Sequence, residues 1–486
     1  MFNDLRDFIK EAEHSGQVNR VEGADWNLEI GNITELQLSV PDAPLLLFDN
    51  IKGYTSGYRV ITNFLNTDLQ LNLIFGFPLE TKGLELVKLL RNKLKNEAKP
   101  LPPRELETGP VMENIHLNSE VNLYEFPVPK WHEKDGGRYI GTGDLVIQKD
   151  PDEGWINLGT YRVQVQDKNT ATIFISPAKH GDIIRRKYWD RGQNCPVAVV
   201  CGVEPLTWMA GYTTLPWGYS EYDYIGMLRQ EPIQIVRGRT TSLPIPATAE
   251  IVLEGELLVP GSDDRLEGPF AEYTGYYASG ARNEPAFRVN CIMHRNDPII
   301  MGHPPEVGKY RQEIRSISNA ATLWNELDKH VPGIKGVWFL HEATGLSIAA
   351  ISLKQMYAGH AKTTGLCAAG LLSETEACRY IIMVDEDIDP SNTADILWAL
   401  GQRSDPAISL DIITGLSTNQ LNTMVPPDMR NKRNYNHSRA IVLACKPYDW
   451  IKDFPVTIRS NPEVMKKTKE KWGKFLSGQA YISNDK

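Results

Sequence analysis

Glu267 and Glu272, in the stretch "RLEGPFAEYTGYY", are two carboxylates five positions apart, and paired carboxylates are what general acid/base chemistry uses. In a straight strand an odd spacing sends them to opposite faces, and Gly268 and Pro269 between them would break a helix. A bulge or tight turn at Gly268-Pro269 would instead bring both to one side. The plainer reading is two solvated glutamates in a loop. Four further polar residues stand where strand patterning does not require them. Asn157 begins a strand in "WINLGTYRVQV", and Arg162 lies five residues on, with the same odd spacing. His180 follows "IFISPAK" and precedes the helix-like "GDIIRRKYW"; Glu221 stands at what reads as a helix start in "LPWGYSEYDYIGML". Each also has an ordinary use: strand entry for the asparagine, an exposed strand charge for the arginine, a structural hydrogen bond for the histidine, a favourable helix-dipole position for the glutamate. Taken together, the amide oxygen, imidazole and carboxylate of Asn157, His180 and Glu221 are a donor set suited to a hard ion of the Mn or Mg type.

The elements that must position these groups follow from periodicity. "MFNDLRDFIKEAEHSG" reads as a helix with Asn3 as N-cap and Gly16 as stop, followed by the strand "APLLLFDNI" and the helix "KGLELVKLLRNKL". Near residue 100, "KPLPPRELETGPVMENI" and "YEFPVPKWHEKDGG" are rich in proline and turn residues and mark a boundary. From about 139 to 302, "WINLGTYRVQVQ", "TATIFIS", "CPVAVVCGV", "AEIVLEGELLV", "FRVNCIMHR" and "PIIMGHP" predict an antiparallel sheet or barrel. After about 310 helices and strands alternate: "RSISNAATLWNELDKH", "GVWFLHE", "SIAAISLK", "HAKTTGLCAAGLLS", "YIIMVDEDIDP" and "TADILWALGQR". The tail "NPEVMKKTKEKWGKFLSG" is a charged amphipathic helix, predicted to pack on the body or on a neighbouring subunit.

At 486 residues the chain is long enough for several cores. A net charge of -9, from 52 basic and 61 acidic residues, argues against an extended nucleic-acid surface or an anionic membrane partner and points to small molecules. The six cysteines form no CxxC pair and read as reduced thiols. The N-terminus lacks the apolar core of a signal peptide and no window reaches the length of a membrane span, so the expectation is a cytoplasmic protein.

In "INLGTYRVQV", "SPAKHGDI", "LPWGYSEYDYIGML", "EIVLEGELL" followed by "LEGPFAEYTGYY", "KQMYAGHAKTTG" and "MVDEDIDPSNTADILWAL", in this order, the chain resembles the UbiD family of decarboxylases, which use prenylated FMN (prFMN). The resemblance covers nearly the whole chain. It implies a mixed α/β and β fold: an N-terminal α/β domain (1–105), a central split β-barrel that binds flavin and metal (106–305), a C-terminal α/β oligomerisation domain (306–460) and a C-terminal helix (461–486). Asn157, His180 and Glu221 match the family's ligands of Mn²⁺, which is held against the flavin phosphate, and Glu221 also matches its K⁺ contact. Arg162, Glu267 and Glu272 match the catalytic Arg-Glu-Glu set, with Glu272 in the place of the proton donor and Arg162 also at the cofactor.

The resemblance further implies reversible non-oxidative decarboxylation of an aromatic, heteroaromatic or α,β-unsaturated carboxylic acid, with CO2 as product, prFMN as electron sink, a flavin prenyltransferase supplying the cofactor, and a homodimer or homohexamer. The alternatives are a carboxylase in aromatic degradation and a non-catalytic UbiD-like subunit; retention of both residue sets argues against the latter. The chain departs from the family at Ser373, where several relatives have a lysine, and Lys362 in "GHAK" is the candidate for the missing cofactor contact. Lys179, Tyr273 and His303 are candidate pocket residues, with solvation or ordinary packing as their alternatives.

Overall fold

The computed structural model describes residues 2–95, 99–177, 179–213, 215–307, 314–372, 378–431, 435–458 and 461–476. The chain divides into two compact units, one running to Cys445 and the other from Lys446 onward. Among the described residues of the first unit the strands form four sheets.

The largest has ten strands and explains the β-rich texture of the middle of the chain. Its antiparallel order is Arg138–Gly141, Arg162–Val165, Thr170–Phe174, Arg282–His294, Ile251–Leu257, Cys195–Cys201, Asp144–Lys149, Ile156–Gly159, with Asp264–Glu267 and Asn114–Leu117 also paired to the long strand Arg282–His294. The apolar run "CPVAVVCGV" is buried on both faces. Val197, Val199 and Cys201 join one core with Tyr139, Ile140, Val163, Ile173 and Leu253, while Ala198 and Val200 join the other with Leu145, Ile147 and Val252. The sheet is curled: Ile140, on the first strand of the order, meets Cys201 on the sixth through a sulfur contact to its carbonyl. "WINLGTYRVQVQ" is two strands, not one. Thr160 and Tyr161 separate Ile156–Gly159 from Arg162–Val165 and carry the chain from the last strand of the sheet order to the second.

The N-terminal sheet is mixed, with Val18–Glu22, Leu45–Asp49 and Arg59–Thr62. Its fourth strand is Ile299–Met301, parallel to Arg59–Thr62, so "PIIMGHP" pairs away from the β-rich sheet. The opening helix is Leu5–His14, and Asp4 rather than Asn3 caps it, accepting a hydrogen bond from the Asp7 amide at 2.8 Å. A five-stranded mixed sheet, in the order Ile334–Phe339, Ile348–Leu353, Tyr380–Asp385, Asn436–Ala444, Leu410–Ser417, forms the C-terminal part, flanked by the helices Ile314–His330, His360–Leu371 and Thr393–Arg403. In the second unit the amphipathic tail is helical over Pro462–Leu476. No helix among the described residues is long and apolar enough to cross a membrane.

Candidate active site

The strand Asp264–Glu267 ends at Glu267, and Gly268 takes φ +82°, a left-handed conformation that glycine adopts at low cost. The chain leaves the sheet there through a cis Gly268–Pro269 peptide. Glu272 sits in the loop beyond, in a turn closed by Gly275 N donating to its carbonyl at 2.8 Å. The turn thus brings both carboxylates to one side, where a single guanidinium takes both.

Arg162 Nε and Nη2 each donate to one oxygen of Glu267 at 2.8 Å, and Nη1 donates to Glu272 Oε1 at 2.5 Å. All three are buried, at 8 %, 0 % and 9 % exposure for Arg162, Glu267 and Glu272. Ser279 completes the group: its Oγ donates to Glu272 Oε1 at 3.0 Å and accepts from Arg162 Nη1 at 3.2 Å. Phe174 lies under the guanidinium, 4.4 Å from ring centre to Cζ. The Glu272 carboxyl is held above the usual carboxylate range, because its loss of solvation outweighs the attraction of Arg162. Arg162 is shifted further up by the two carboxylates despite its own burial.

Ser279 escaped the sequence reading, being a small residue in "YYASGAR" with no pattern to mark it. Gln164 did leave a signal. It lies two residues after Arg162 and hence on the same strand face; its Oε1 accepts from Gly268 N at 2.9 Å and so pins the turn. Tyr139, paired with Gln164 across the strands, reaches Glu267 at 3.4 Å.

The second group gathers around the strand Ile156–Gly159, on which the helices His180–Trp189 and Glu221–Arg229 both pack. Glu221 is the first residue of its helix, and its Oε2 accepts from Leu158 N at 2.8 Å, next to Asn157. Burial pushes the Glu221 carboxyl up to about 8. His180 is the first residue of the other helix, its ring edge-on to Trp155 and Trp217 at 5.6 and 5.2 Å. Desolvation and Lys179 lower its pKa, which favours the neutral imidazole that a metal requires. The Tyr161 hydroxyl lies among Asn157, Glu221 and the Gly181 backbone. A Cβ at Gly181 would come within 2.9 Å of that hydroxyl and 2.6 Å of Gln148 Oε1, so glycine lets the helix start approach this closely. Asn157 is buried and its amide nitrogen has no hydrogen-bond partner among the described residues. A buried carboxylate raised in pKa for want of a counter-charge, an imidazole lowered in pKa and a buried amide fit a divalent cation and an anionic group beside it.

Lys362 stands apart, half-exposed and paired with Asp411 at 2.7 Å. Ser373 lies outside the described residues. Tyr273 accepts a hydrogen bond from Asn419 Nδ2 at 3.2 Å, and His303 packs edge-on to Trp208 at 4.9 Å. Lys179 occupies the N-cap of the His180 helix without a side-chain capping bond.

Ser279 and Phe174 also line a cleft of about 630 Å³, whose walls include Arg186, Arg282, Gln420 and Arg430. Gln420 and Arg430 come from the C-terminal part. Arg430 Nη1 donates to Ala278 O at 2.6 Å, and Gln420 Nε2 to Ser176 Oγ at 3.4 Å.

Sequence models of 3-octaprenyl-4-hydroxybenzoate carboxy-lyase match residues 9–90 (N-terminal domain), 104–307 (Rift-related domain) and 312–444 (C-terminal domain). The chain belongs to the UbiD family of carboxy-lyases. It is 33 % identical over 423 residues to pyrrole-2-carboxylic acid decarboxylase of Pseudomonas aeruginosa, covering 83 % of each chain. It is 32 % identical to phenolic acid decarboxylase of Bacillus subtilis, over 86 % of this chain and 88 % of the relative. Among solved structures, the UbiD-class enzyme HmfF from Pelotomaculum thermopropionicum in complex with FMN superposes with a TM-score of 0.83 at 26 % identity, over 95 % of this chain and 98 % of that one. An evolved dimeric form of HmfF in complex with prFMN gives 0.81 at 25 % identity, over 96 % and 98 %. The mixed α/β fold is therefore that of UbiD-class enzymes.

Proposed function

We propose that this UbiD-family chain catalyses the reversible non-oxidative decarboxylation of an aromatic, heteroaromatic or α,β-unsaturated carboxylic acid, with Glu272 as proton donor. The observation that carries the reading is one buried guanidinium holding two carboxylates, one of them raised above its ordinary pKa, in contact with Ser279 and Phe174 of an arginine-lined cleft. When bound, prFMN supplies the electron sink for the pair released as the carboxyl leaves as CO2. This chain's residues do the rest. Arg162 fixes both carboxylates and balances their charge. Glu272 Oε1 already accepts from Arg162 and Ser279, so the neutral acid carries its proton on Oε2, and that proton goes to the vacated carbon. Glu267 couples Arg162 to the cofactor. Arg282, whose Nε lacks a hydrogen-bond partner among the described residues, supplies positive charge for the substrate carboxylate.

Asn157, His180 and Glu221 would hold Mn²⁺ beside the flavin phosphate, with Glu221 also toward K⁺; a phosphate contact from Lys362 would require it to leave Asp411. In this reading the curled sheet is the flavin domain, flanked by the N- and C-terminal α/β parts. The chain is a homo-oligomer formed through the C-terminal part, and the cofactor comes from a flavin prenyltransferase.

Expression without a flavin prenyltransferase should give folded, inactive protein, and reconstitution with prFMN, Mn²⁺ and K⁺ should restore CO2 release from at least one member of a panel of pyrrole, indole, phenolic and cinnamate-like acids. Full turnover with plain FMN would overturn the cofactor reading. Failure of every acid in prFMN-loaded protein would favour a non-catalytic subunit. A faster reaction in bicarbonate would favour carboxylation as the working direction.

A further inference from the structure

Away from the cleft, His116, Glu125 and His294 bring three potential ligand atoms within 4.8 Å of one another. They come from the strand Asn114–Leu117, the turn Leu123–Glu125 and the last residue of the strand Arg282–His294. Antiparallel pairing sets Asn114 opposite His294 and His116 opposite Ile292, so the two imidazoles lie on one sheet face, stacked at 5.4 Å. Their Nε2 atoms are 3.3 Å apart, and His294 Nε2 is 3.5 Å from Glu125 Oε1.

Those separations are near the ligand spacing of a small divalent ion. A tetrahedral ion with bonds of roughly 2.0–2.1 Å holds its ligand atoms about 3.4 Å apart, whereas octahedral neighbours at similar bond lengths lie about 3.0 Å apart. Two of the three ligand pairs, at 3.3 and 3.5 Å, match the tetrahedral edge, and the third lies within 4.8 Å. The outer contacts are those of ligands already oriented. His294 Nδ1 donates to Arg295 O at 2.8 Å, which leaves Nε2 as the ligand atom of the neutral ring, on the side of His116. Tyr58 donates to Glu125 Oε1 at 3.0 Å and so orients the carboxylate. Phe126 packs edge-on against His294 at 5.4 Å and covers one side. Glu125 also lines an open cavity of about 500 Å³ with Trp26, Tyr54 and Tyr124, a route for an ion and a place for a water ligand.

We infer that His116, His294 and Glu125 form a tetrahedral Zn²⁺ site, separate from the Asn157–His180–Glu221 group, with water as the fourth ligand. Imidazole and carboxylate in this number suit Zn²⁺ better than Mg²⁺ or Ca²⁺. The ion clips the turn Leu123–Glu125 and, through Tyr58, the N-terminal segment to the longest strand of the main sheet, so its role is to stabilise that junction.

The test uses full-length protein carrying His180→Ala, so that the other metal group does not contribute. After stripping with a chelator it is titrated with Co²⁺ as a probe and then with Zn²⁺. One equivalent of Co²⁺ should give the intense visible bands of tetrahedral coordination, Zn²⁺ should displace them, and Zn²⁺ should raise Tm. Adding His116→Ala, or Glu125→Gln at a half-buried position with its shape retained, should abolish the bands and weaken Zn²⁺ binding on the order of 100-fold or more, with an unchanged circular dichroism spectrum. Absence of tetrahedral bands in the His180→Ala protein would mean that the imidazoles merely share a proton and would overturn the site. Equal binding after both added substitutions would mean an adventitious ion only and would overturn it equally. If His116→Ala fails to fold, Glu125→Gln decides.

Discussion

Glu272 and Glu267 have the same chemistry and share one arginine, but their surroundings separate them. Glu267 is wholly buried and bound at both oxygens by Arg162, while Glu272 is bound at one oxygen and lies beside a cleft-lining serine. Glu272→Gln keeps shape and reach but has no acidic proton, so it should retain flavin and metal and lose on the order of 10²-fold or more in turnover. In D2O the native protein should place deuterium at the decarboxylated carbon, and the variant should not; near-native exchange in the variant would remove Glu272 from the reaction. The pH profile tests the same group more finely. A general acid works protonated, so kcat should fall as pH rises through the raised Glu272 pKa. Ser279 favours the ionised form through its hydrogen bond, and Glu267 opposes it through its charge. Ser279→Ala should therefore move the falling limb to higher pH and Glu267→Gln to lower pH; shifts of the opposite sign would show that another group titrates.

At the scale of elements, the site depends on two places where the main chain abandons regular structure. One is the Thr160–Tyr161 break, which puts Asn157 on the last strand of the sheet order and Arg162 on the second although they are close in sequence. The other is the turn after Glu267. Gly268→Ala would force a side chain into φ +82°, costing about 1 kcal/mol or more and rotating the segment that carries Glu272. The variant should melt at lower temperature and lose turnover by more than its unfolded fraction accounts for, measured by calorimetry and by rate per folded molecule. Loss of turnover matching the unfolded fraction alone would show that the turn does not aim Glu272.

For the whole molecule, the cleft is closed by both the main sheet and the C-terminal part, through Arg430 on Ala278 and Gln420 on Ser176. The C-terminal sheet ends in the strand Leu410–Ser417, where Ile412 is 68 % exposed; Ile408, just before the strand, is 78 % exposed, and Leu397 and Trp398 on the preceding helix are also exposed. An apolar edge strand invites pairing with another chain, and in the homo-oligomer proposed above a second copy would cover it. Ile412→Lys should reduce the mass measured by sedimentation while leaving the fold intact. An unchanged mass would place the contact between copies elsewhere.

The sequence by itself determined the local elements and the family. Apolar period and turn residues are short-range signals, so "CPVAVVCGV", "SIAAISLK" and "TADILWALGQR" were legible as strand, strand and helix. The Gly-Pro pair between the two glutamates likewise pointed to a turn, because backbone freedom at those residues is intrinsic. Only the tertiary structure decided what the turn faces. That Glu267 and Glu272 meet the same guanidinium, that Ser279 joins them, that Ile299–Met301 crosses to the N-terminal sheet and that His116 meets His294 all depend on pairings between segments far apart in the chain. Such pairings arise from the curl and register of the sheet, which distribute the burial of many side chains at once, and no local run of residues encodes them.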